Sequence, residues 1–284
     1  MLIHNKISEL SVYLEKHRSL KRKIGFVPTM GALHEGHISL VNKAKKENDI
    51  VVVSIFVNPT QFNNPEDLKN YPRTPKEDEK MLGENNVDII FSPLVEEIYN
   101  PETIKKNVLE LGQIADVMEG VHRPGHFDGV VQIVSKLFEI VKPQKAYFGE
   151  KDFQQLAVIR LMVNKIHFPV EIIACPTVRE KSGLAMSSRN LKLSKNGLQD
   201  AAEISKTLFY VKENWKKFNP ADLKERAIEM IESSGKLKVE YVEISEEESL
   251  QPAKEWNPKK HIRCFAAVYC EEIRLIDNIQ LSSG

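Results

Sequence analysis

Along the first 176 residues, short dense apolar runs alternate with charged segments of helical period. Ile24–Val27 is an apolar run that Pro28 and Gly31 then break. From Ile38 onward, Ile38, Leu40, Val41 and Ala44 mark one buried helix face, and Lys43, Lys45 and Lys46 gather towards the C-terminus, where cations suit the helix dipole. Asp49 to Val57 is nearly continuous in β-branched residues, which predicts a strand buried on both faces, as a parallel sheet under helices demands. Val87–Phe91, Lys145–Gly149 and Val170–Cys175 predict further strands. Val130–Val141 and Phe153–Ile166 predict apolar helices, the second capped by Asp152. A charged helix is expected over 76–84 and an amphipathic one at the N-terminus, where Ile3, Ile7, Leu10 and Leu14 recur among charges. Residues 63–71 read as a polar, mobile stretch, and 106–111 as an excursion strand.

After residue 177 the composition changes. Arg179–Asn190 is a polar loop, and Ser194 offers a cap for a helix over 198–215. A second helix over 223–231 and alternating segments at 239–244 and 263–270 predict a small sheet with helices. Glu243–Glu248 reads as a solvated acidic turn. Strand–helix alternation followed by this change predicts an α/β protein: a Rossmann-like, doubly wound parallel sheet over 1–176, with a smaller α+β C-terminal lid domain over 177–284. No G-x-G-x-x-G follows a strand, which disfavours the dinucleotide-binding variety of that fold.

Composition narrows the function. At 284 residues the chain can fill two cores. Lysine plus arginine equals aspartate plus glutamate, 40 against 40, so the basic surplus of a nucleic-acid binder is missing and no nucleic-acid partner is expected. Cys175, Cys264 and Cys270 are odd in number and form no C-x-x-C pair, so they read as buried reduced thiols. No stretch approaches the ~20 apolar residues of a membrane span, and no signal-peptide pattern opens the chain, so a cytoplasmic protein without a membrane partner is expected.

The chemistry gathers at predicted strand ends. His34-Glu35-Gly36-His37 stands where the first buried strand turns into a helix. Histidines three apart share a helix face, and they lie beside backbone N–H groups that lack intrahelical partners. Such a start attracts phosphate, and Gly36 lets it approach closely. The next strand ends at Asn58-Pro59-Thr60-Gln61, a polar turn that can meet a ligand. Gly149 to Asp152 and Met186 to Arg189 complete four such elements. Paired histidines could also ligate a metal, but a zinc site needs a third protein ligand, and only His122 and His126 form another cluster.

The H-x-G-H element resembles the ATP-binding signature of the nucleotidylyltransferase superfamily, which includes class I aminoacyl-tRNA synthetases. Taken with VNPTQF, YPRTP, RPGHFDGV, FGEKDFQQL and MSSRN, the stretch PTMGALHEGH is similar to the pantoate–β-alanine ligase (pantothenate synthetase) family. These matches run in order from residue 28 to 190; beyond Asn190 there is no comparable signature. The resemblance implies a two-step ligation through pantoyl adenylate, with ATP as substrate, Mg²⁺ on the pyrophosphate, pantoate and β-alanine as the other substrates, and a homodimer. It implies that Met30, Gly31, Ala32, Leu33, His34, Glu35, Gly36 and His37 line the ATP site, with His37 donating to the reacting phosphate. Gly149, Glu150, Lys151, Asp152 and Val178 would contact the adenosine part of ATP. Met186, Ser187, Ser188 and Arg189 would form the second signature, with arginine where class I synthetases carry lysine. His34, His37, Lys151 and Arg189 would be the catalytic group, Gln61 and Gln155 would hold pantoate, Gln61 also meeting β-alanine, and Asn58, Arg123 and His126 are weaker candidates. Two rival readings are a nucleotidylyltransferase acting on a phosphorylated alcohol, which releases no AMP, and a nucleotide sensor without chemistry.

Overall fold

The computed structural model describes residues 1–99 and 109–282. In chain order its first part contains β1 (Leu2–His4), α1 (Ile7–Ser19), β2 (Ile24–Thr29), α2 (Glu35–Glu47), β3 (Ile50–Ile55), α3 (Pro65–Lys69), α4 (Pro75–Glu84), β4 (Ile89–Phe91), α5 (Val95–Ile98), α6 (Glu119–His122), α7 (His126–Val141), β5 (Lys145–Gly149), α8 (Phe153–Ile166) and β6 (Glu171–Cys175). The six strands form one parallel sheet in the order β1-β4-β3-β2-β5-β6. The chain winds outward from β2 to β3 and β4, and later crosses to β5 and β6 on the other side. The order therefore reverses between β2 and β5, and ligands of open α/β sheets bind beyond the strand ends at such a point.

The burial that builds this sheet follows the apolar runs. Ile24, Phe26, Val27, Val51, Val52 and Val53 are completely buried. Alternation sends Val27, Val51 and Val53 to one face, against Ile38, Val41 and Ala44 of α2. Phe26 faces the other way, its ring edge-on to Phe138 of α7 at 6.3 Å.

Several elements differ from the sequence expectation. The N-terminal helix begins only at Ile7, because Leu2–His4 pairs with Ile89–Phe91 as an edge strand, leaving Ile3 off the helix stripe. β4 is shorter than 87–91, because Asp88 turns its carboxylate onto the Val51 N–H (2.8 Å) and Lys45 Nζ (2.9 Å). The stretch read as mobile contains α3, started by Pro65 and capped by Asn64 on the Glu66 N–H at 2.9 Å. α7 starts a turn earlier than expected, at His126. Most of the excursion strand expected at 106–111 lies outside the described residues, and 109–111 are not in a strand.

The chain divides into two compact units. One comprises Met1–Leu111, Arg123–Glu150 and Val158–Pro176, and the other Gly112–His122, Lys151–Ala157 and Thr177–Gly284. In the second, α9 (Lys195–Asn214), α10 (Pro220–Glu232), β7 (Leu237–Glu246), β8 (Ile262–Cys270) and β9 (Ile273–Ser282) surround a core of Ile204, Leu208, Leu223, Val242, Cys264 and Leu275. The antiparallel order is β7-β8-β9. Ser194 caps α9 on the Gly197 N–H at 3.0 Å. The acidic segment is strand and its flank, not a free turn: Glu243 pairs with Lys224 (2.9 Å), Glu246 with Lys260 (3.1 Å) and Glu247 with Arg263 (2.8 Å). Among the described residues no helix is long and apolar enough to cross a membrane.

Candidate active site

Between β2 and α2 the backbone reverses through two left-handed residues, Gly31 (φ 79°) and Ala32 (φ 48°). For alanine that conformation costs roughly 1–2 kcal/mol, so something must hold it. Asp78 of α4, only 2% exposed, accepts from the Ala32 N–H at 3.0 Å and the Leu33 N–H at 2.8 Å. Thr74 Oγ1 donates to the same carboxylate at 3.0 Å. Hydrogen bonds to an ionised acceptor are the strong kind, and two adjacent N–H groups on one carboxylate fix the turn. Any Cβ on Gly31 would stand 3.0 Å from Asp78 Oδ2.

The turn delivers His34 to the N-cap of α2. Its Nδ1 accepts from the Gly36 N–H at 3.2 Å, and His37 Nδ1 accepts from the His34 N–H at 3.3 Å, a reciprocal capping box built from two imidazoles. The rings lie 4.1 Å apart. A ring nitrogen that accepts carries no proton, so this network assigns the proton of both neutral rings to Nε2. Each histidine thus caps the helix with one nitrogen and carries its N–H on the other, at the end of the dipole where anions are favoured.

Beyond β3, Asn58 organises the polar turn. Its Oδ1 accepts from Tyr99 Oη (2.5 Å), Thr60 Oγ1 (3.1 Å) and the Thr60 N–H (3.3 Å). Burial raises the Tyr99 pKa, which keeps the phenol protonated as that donor. The Asn58 amide donates to Gln61 Oε1 at 3.2 Å and to the Gly129 carbonyl at 3.1 Å. Gln61 in turn points Nε2 at Met30 Sδ (2.9 Å), joining this turn to the one between β2 and α2. Its backbone carbonyl accepts from His126 Nδ1 (2.8 Å) and Arg123 Nη2 (3.4 Å). Asn58, Arg123 and His126 therefore hold Gln61 in place. Gly149 ends β5, the neighbour of β2, and Glu150 follows it.

In the second unit, Lys151 and Asp152 form a 3.7 Å ion pair, with the Lys151 side chain mostly covered. Gln155 is half-buried. The neighbouring Gln154, 4% exposed, is a clamp: it donates to the carbonyls of Ile114 and Val117, both at 2.8 Å, and accepts from the Glu119 N–H at 3.0 Å. Val178 and Met186 are brought together, the Met186 N–H donating to the Val178 carbonyl at 3.0 Å across a small hairpin. Ser187 Oγ accepts from the Arg189 N–H at 3.3 Å and starts a short 3₁₀ turn, Ser188–Lys192. Ser188 is buried and Arg189 half-buried.

Perturbed titration also occurs away from these elements. Lys43 and Lys145 hold the Glu47 carboxyl down at about 2, and Tyr147 also donates to it, at 3.0 Å. Lys145 opens β5, so this cluster sits at the sheet's opposite end and braces α2. Cys175, Cys264 and Cys270 are free and buried, and burial pushes the Cys175 thiol up to about 11, which makes it a poor nucleophile. Asp78 escaped the sequence reading; the signal available was Thr74-Pro75, a helix start that puts an acid one turn in.

The family model described as Pantoate-beta-alanine ligase matches residues 2–280 of the chain. A curated relative from Porphyromonas gingivalis, described as pantothenate synthetase, is 48% identical over 281 residues, 99% of each chain. A solved pantothenate synthetase from Thermus thermophilus superposes with a TM-score of 0.93 at 40% identity, over 100% of both chains. A solved pantoate-beta-alanine ligase from Francisella tularensis, complexed with beta-gamma ATP and beta-alanine, gives a TM-score of 0.82 at 39% identity, over 100% of this chain and 99% of that one.

Proposed function

Because the chain belongs to the pantoate-beta-alanine ligase family, we propose that it makes pantothenate from pantoate, β-alanine and ATP through a pantoyl adenylate. A carboxylate oxygen of pantoate attacks the α-phosphorus, the bond to the bridging oxygen breaks, and pyrophosphate leaves. The amine of β-alanine then attacks the acyl carbon of the mixed anhydride. The C–O bond to phosphate breaks, AMP departs and the amide nitrogen loses its proton. The first step needs no general base, because a carboxylate is already ionised at pH 7. It needs alignment, and donors where charge spreads over phosphate oxygens.

The observation that carries this reading is the histidine pair capping α2, whose Nδ1 atoms are engaged by backbone N–H groups so that Nε2 bears the proton. In this reading His34 and His37 donate to phosphate oxygens, and His37 acts on the reacting phosphate. Lys151, Ser187, Ser188 and Arg189 supply further donors and positive charge, Arg189 through its planar fork. Met30–Leu33, Glu35, Gly36, Gly149, Glu150, Asp152, Val178 and Met186 line the nucleotide. Gln61 and Gln155 hold pantoate, since an amide can donate to a carboxylate and accept from a hydroxyl at once. Mg²⁺ enters here as part of the substrate, carried on the ATP phosphates. Family membership supports a homodimer acting in the cytoplasm.

Isotope exchange tests the order of steps. Pantoate with MgATP, and no β-alanine, should exchange labelled pyrophosphate into ATP, and adding β-alanine should then release AMP. A protein that runs the full reaction without exchange in the absence of β-alanine would not form a free-standing adenylate. Pyrophosphate release without AMP would favour nucleotidyl transfer to an alcohol.

A further inference from the structure

Asp277 occupies a core position on β9. Leu275, Ile279 and Leu281 share its inward row, and its carboxylate is 3% exposed. Both of its oxygens receive Arg179, with Nη1 at 2.6 Å and Nη2 at 3.0 Å, the bidentate geometry of a strong pair. The same guanidinium reaches the Gly183 carbonyl at 3.1 Å and the Asn278 carbonyl at 3.4 Å. Arg179 is therefore tied to both sides of the hairpin whose far strand, paired through Ala185, continues into Met186–Arg189.

Asn278 points the other way along the strand and is also buried. Its Oδ1 accepts from Arg263 Nη1 at 2.6 Å, which fixes the amide orientation, and Nδ2 then donates to the Lys151 carbonyl at 2.8 Å. Arg263 itself is set by Glu247 at 2.8 Å and by the ring of Phe153, 4.0 Å below its guanidinium. Two adjacent residues of one strand thus grip two separate segments of the chain. Replacing buried polar and ionic groups by apolar residues is often neutral or stabilising, so cohesion alone is a weak reason for burying Asp277 and Asn278 side by side on this strand.

We propose that Asp277 and Asn278 are positioning residues, which hold the Lys151 backbone and the base of the Ser187–Arg189 loop in fixed register within the second unit. The inference rests on the reading of Lys151 and Arg189 as phosphate-binding groups. It gives the C-terminal strand a part in the ligation that neither side chain plays by contact with a substrate.

A double-mutant cycle tests it, with kcat and KM for ATP as readouts. Lys151→Met should lower kcat/KM about 100-fold, as loss of a transition-state donor does. Asn278→Asp keeps the Arg263 contact but turns an acceptor towards the Lys151 carbonyl; it should lower kcat/KM about ten-fold, with the same split between kcat and KM as Lys151→Met. In the Lys151→Met background Asn278→Asp should cost less than about two-fold, because residues acting through one another are non-additive. Asn278→Ala, which removes the bonds to both the Lys151 carbonyl and Arg263 without adding charge, should follow the same pattern, and thermal unfolding recorded for each variant separates a folding defect from the loss of register. A full ten-fold loss in both backgrounds, or none in the wild type, overturns the inference and leaves the reading of Lys151 standing. Wild-type activity in Lys151→Met overturns that reading, and the inference with it.

Discussion

A Cβ on Gly129 would stand 2.3 Å from the carbonyl oxygen of Thr60. The first turn of α7 is thereby pressed onto the 59–61 turn, and Asn58 bonds the Gly129 carbonyl from the same side at 3.1 Å. Gln61 shares this contact, since its Cα would lie 2.7 Å from that Cβ.

Gly129→Ala should therefore act on substrate binding through the backbone. Overlap with backbone atoms cannot be relieved by a rotamer change, so α7 and the turn must separate, at a stability loss of about 1–3 kcal/mol typical of overpacking. The Gln61 amide moves with its turn, and under the proposed role of Gln61 that displacement would leave pantoate oxygens unpaired. The expected outcome is a KM for pantoate raised about ten-fold or more, one lost hydrogen bond's worth, with KM for ATP changed far less. Steady-state kinetics with each substrate varied separately checks this, and an equal rise in both KM values would place Gln61 elsewhere in the site.

Asp78 makes a second prediction. Asp78→Asn preserves shape, but an amide presents one acceptor where the carboxylate presents two, so one of the Ala32 and Leu33 N–H groups faces a donor. Losing a hydrogen bond to a buried charged acceptor costs about 1.5–3 kcal/mol, and Ala32 is then held less firmly in its left-handed conformation. Chemical denaturation should show that loss, and pyrophosphate exchange should fall with it, because His34 follows the turn directly. Normal exchange in a measurably destabilised variant would mean that the turn keeps its geometry without the carboxylate.

The parallel sheet was legible because its central strands are buried on both faces, so Ile24–Val27 and Ile50–Ile55 announce themselves without any partner. The placement of His34 and His37 at a helix start was legible for a related reason: a strand end, a glycine and a helix start occur within a few residues of one another. Asp78 was not, since its meaning lies in two N–H groups more than forty positions upstream. β9 went unread because Asp277 and Asn278 interrupt the apolar alternation that marks a strand; only Arg179 and Lys151, about a hundred positions or more away in the chain, explain them. Gln154 and Gln155 are identical in type and adjacent, and only the fold distinguishes the clamp from the half-buried neighbour.

The histidine pair allows capping and chemistry to be separated. His37 uses Nδ1 for the His34 N–H and carries its proton on Nε2. An asparagine side-chain oxygen sits near the place of Nδ1, and a glutamine amide nitrogen near the place of Nε2. His37→Asn should keep the cap, hold thermal stability close to wild type, and lower kcat by about 10²–10³, as loss of one transition-state donor does. His37→Gln should do the reverse: a donor remains in reach of the phosphate while the helix loses a cap contact worth about 0.5–2 kcal/mol. Its kcat should fall less than that of His37→Asn and its unfolding midpoint should fall more. Melting curves and single-turnover adenylation on the two variants measure both quantities. If both variants lose rate equally while only one loses stability, the Nε2 proton is not what the reaction uses, and His37 serves the site through the helix it caps.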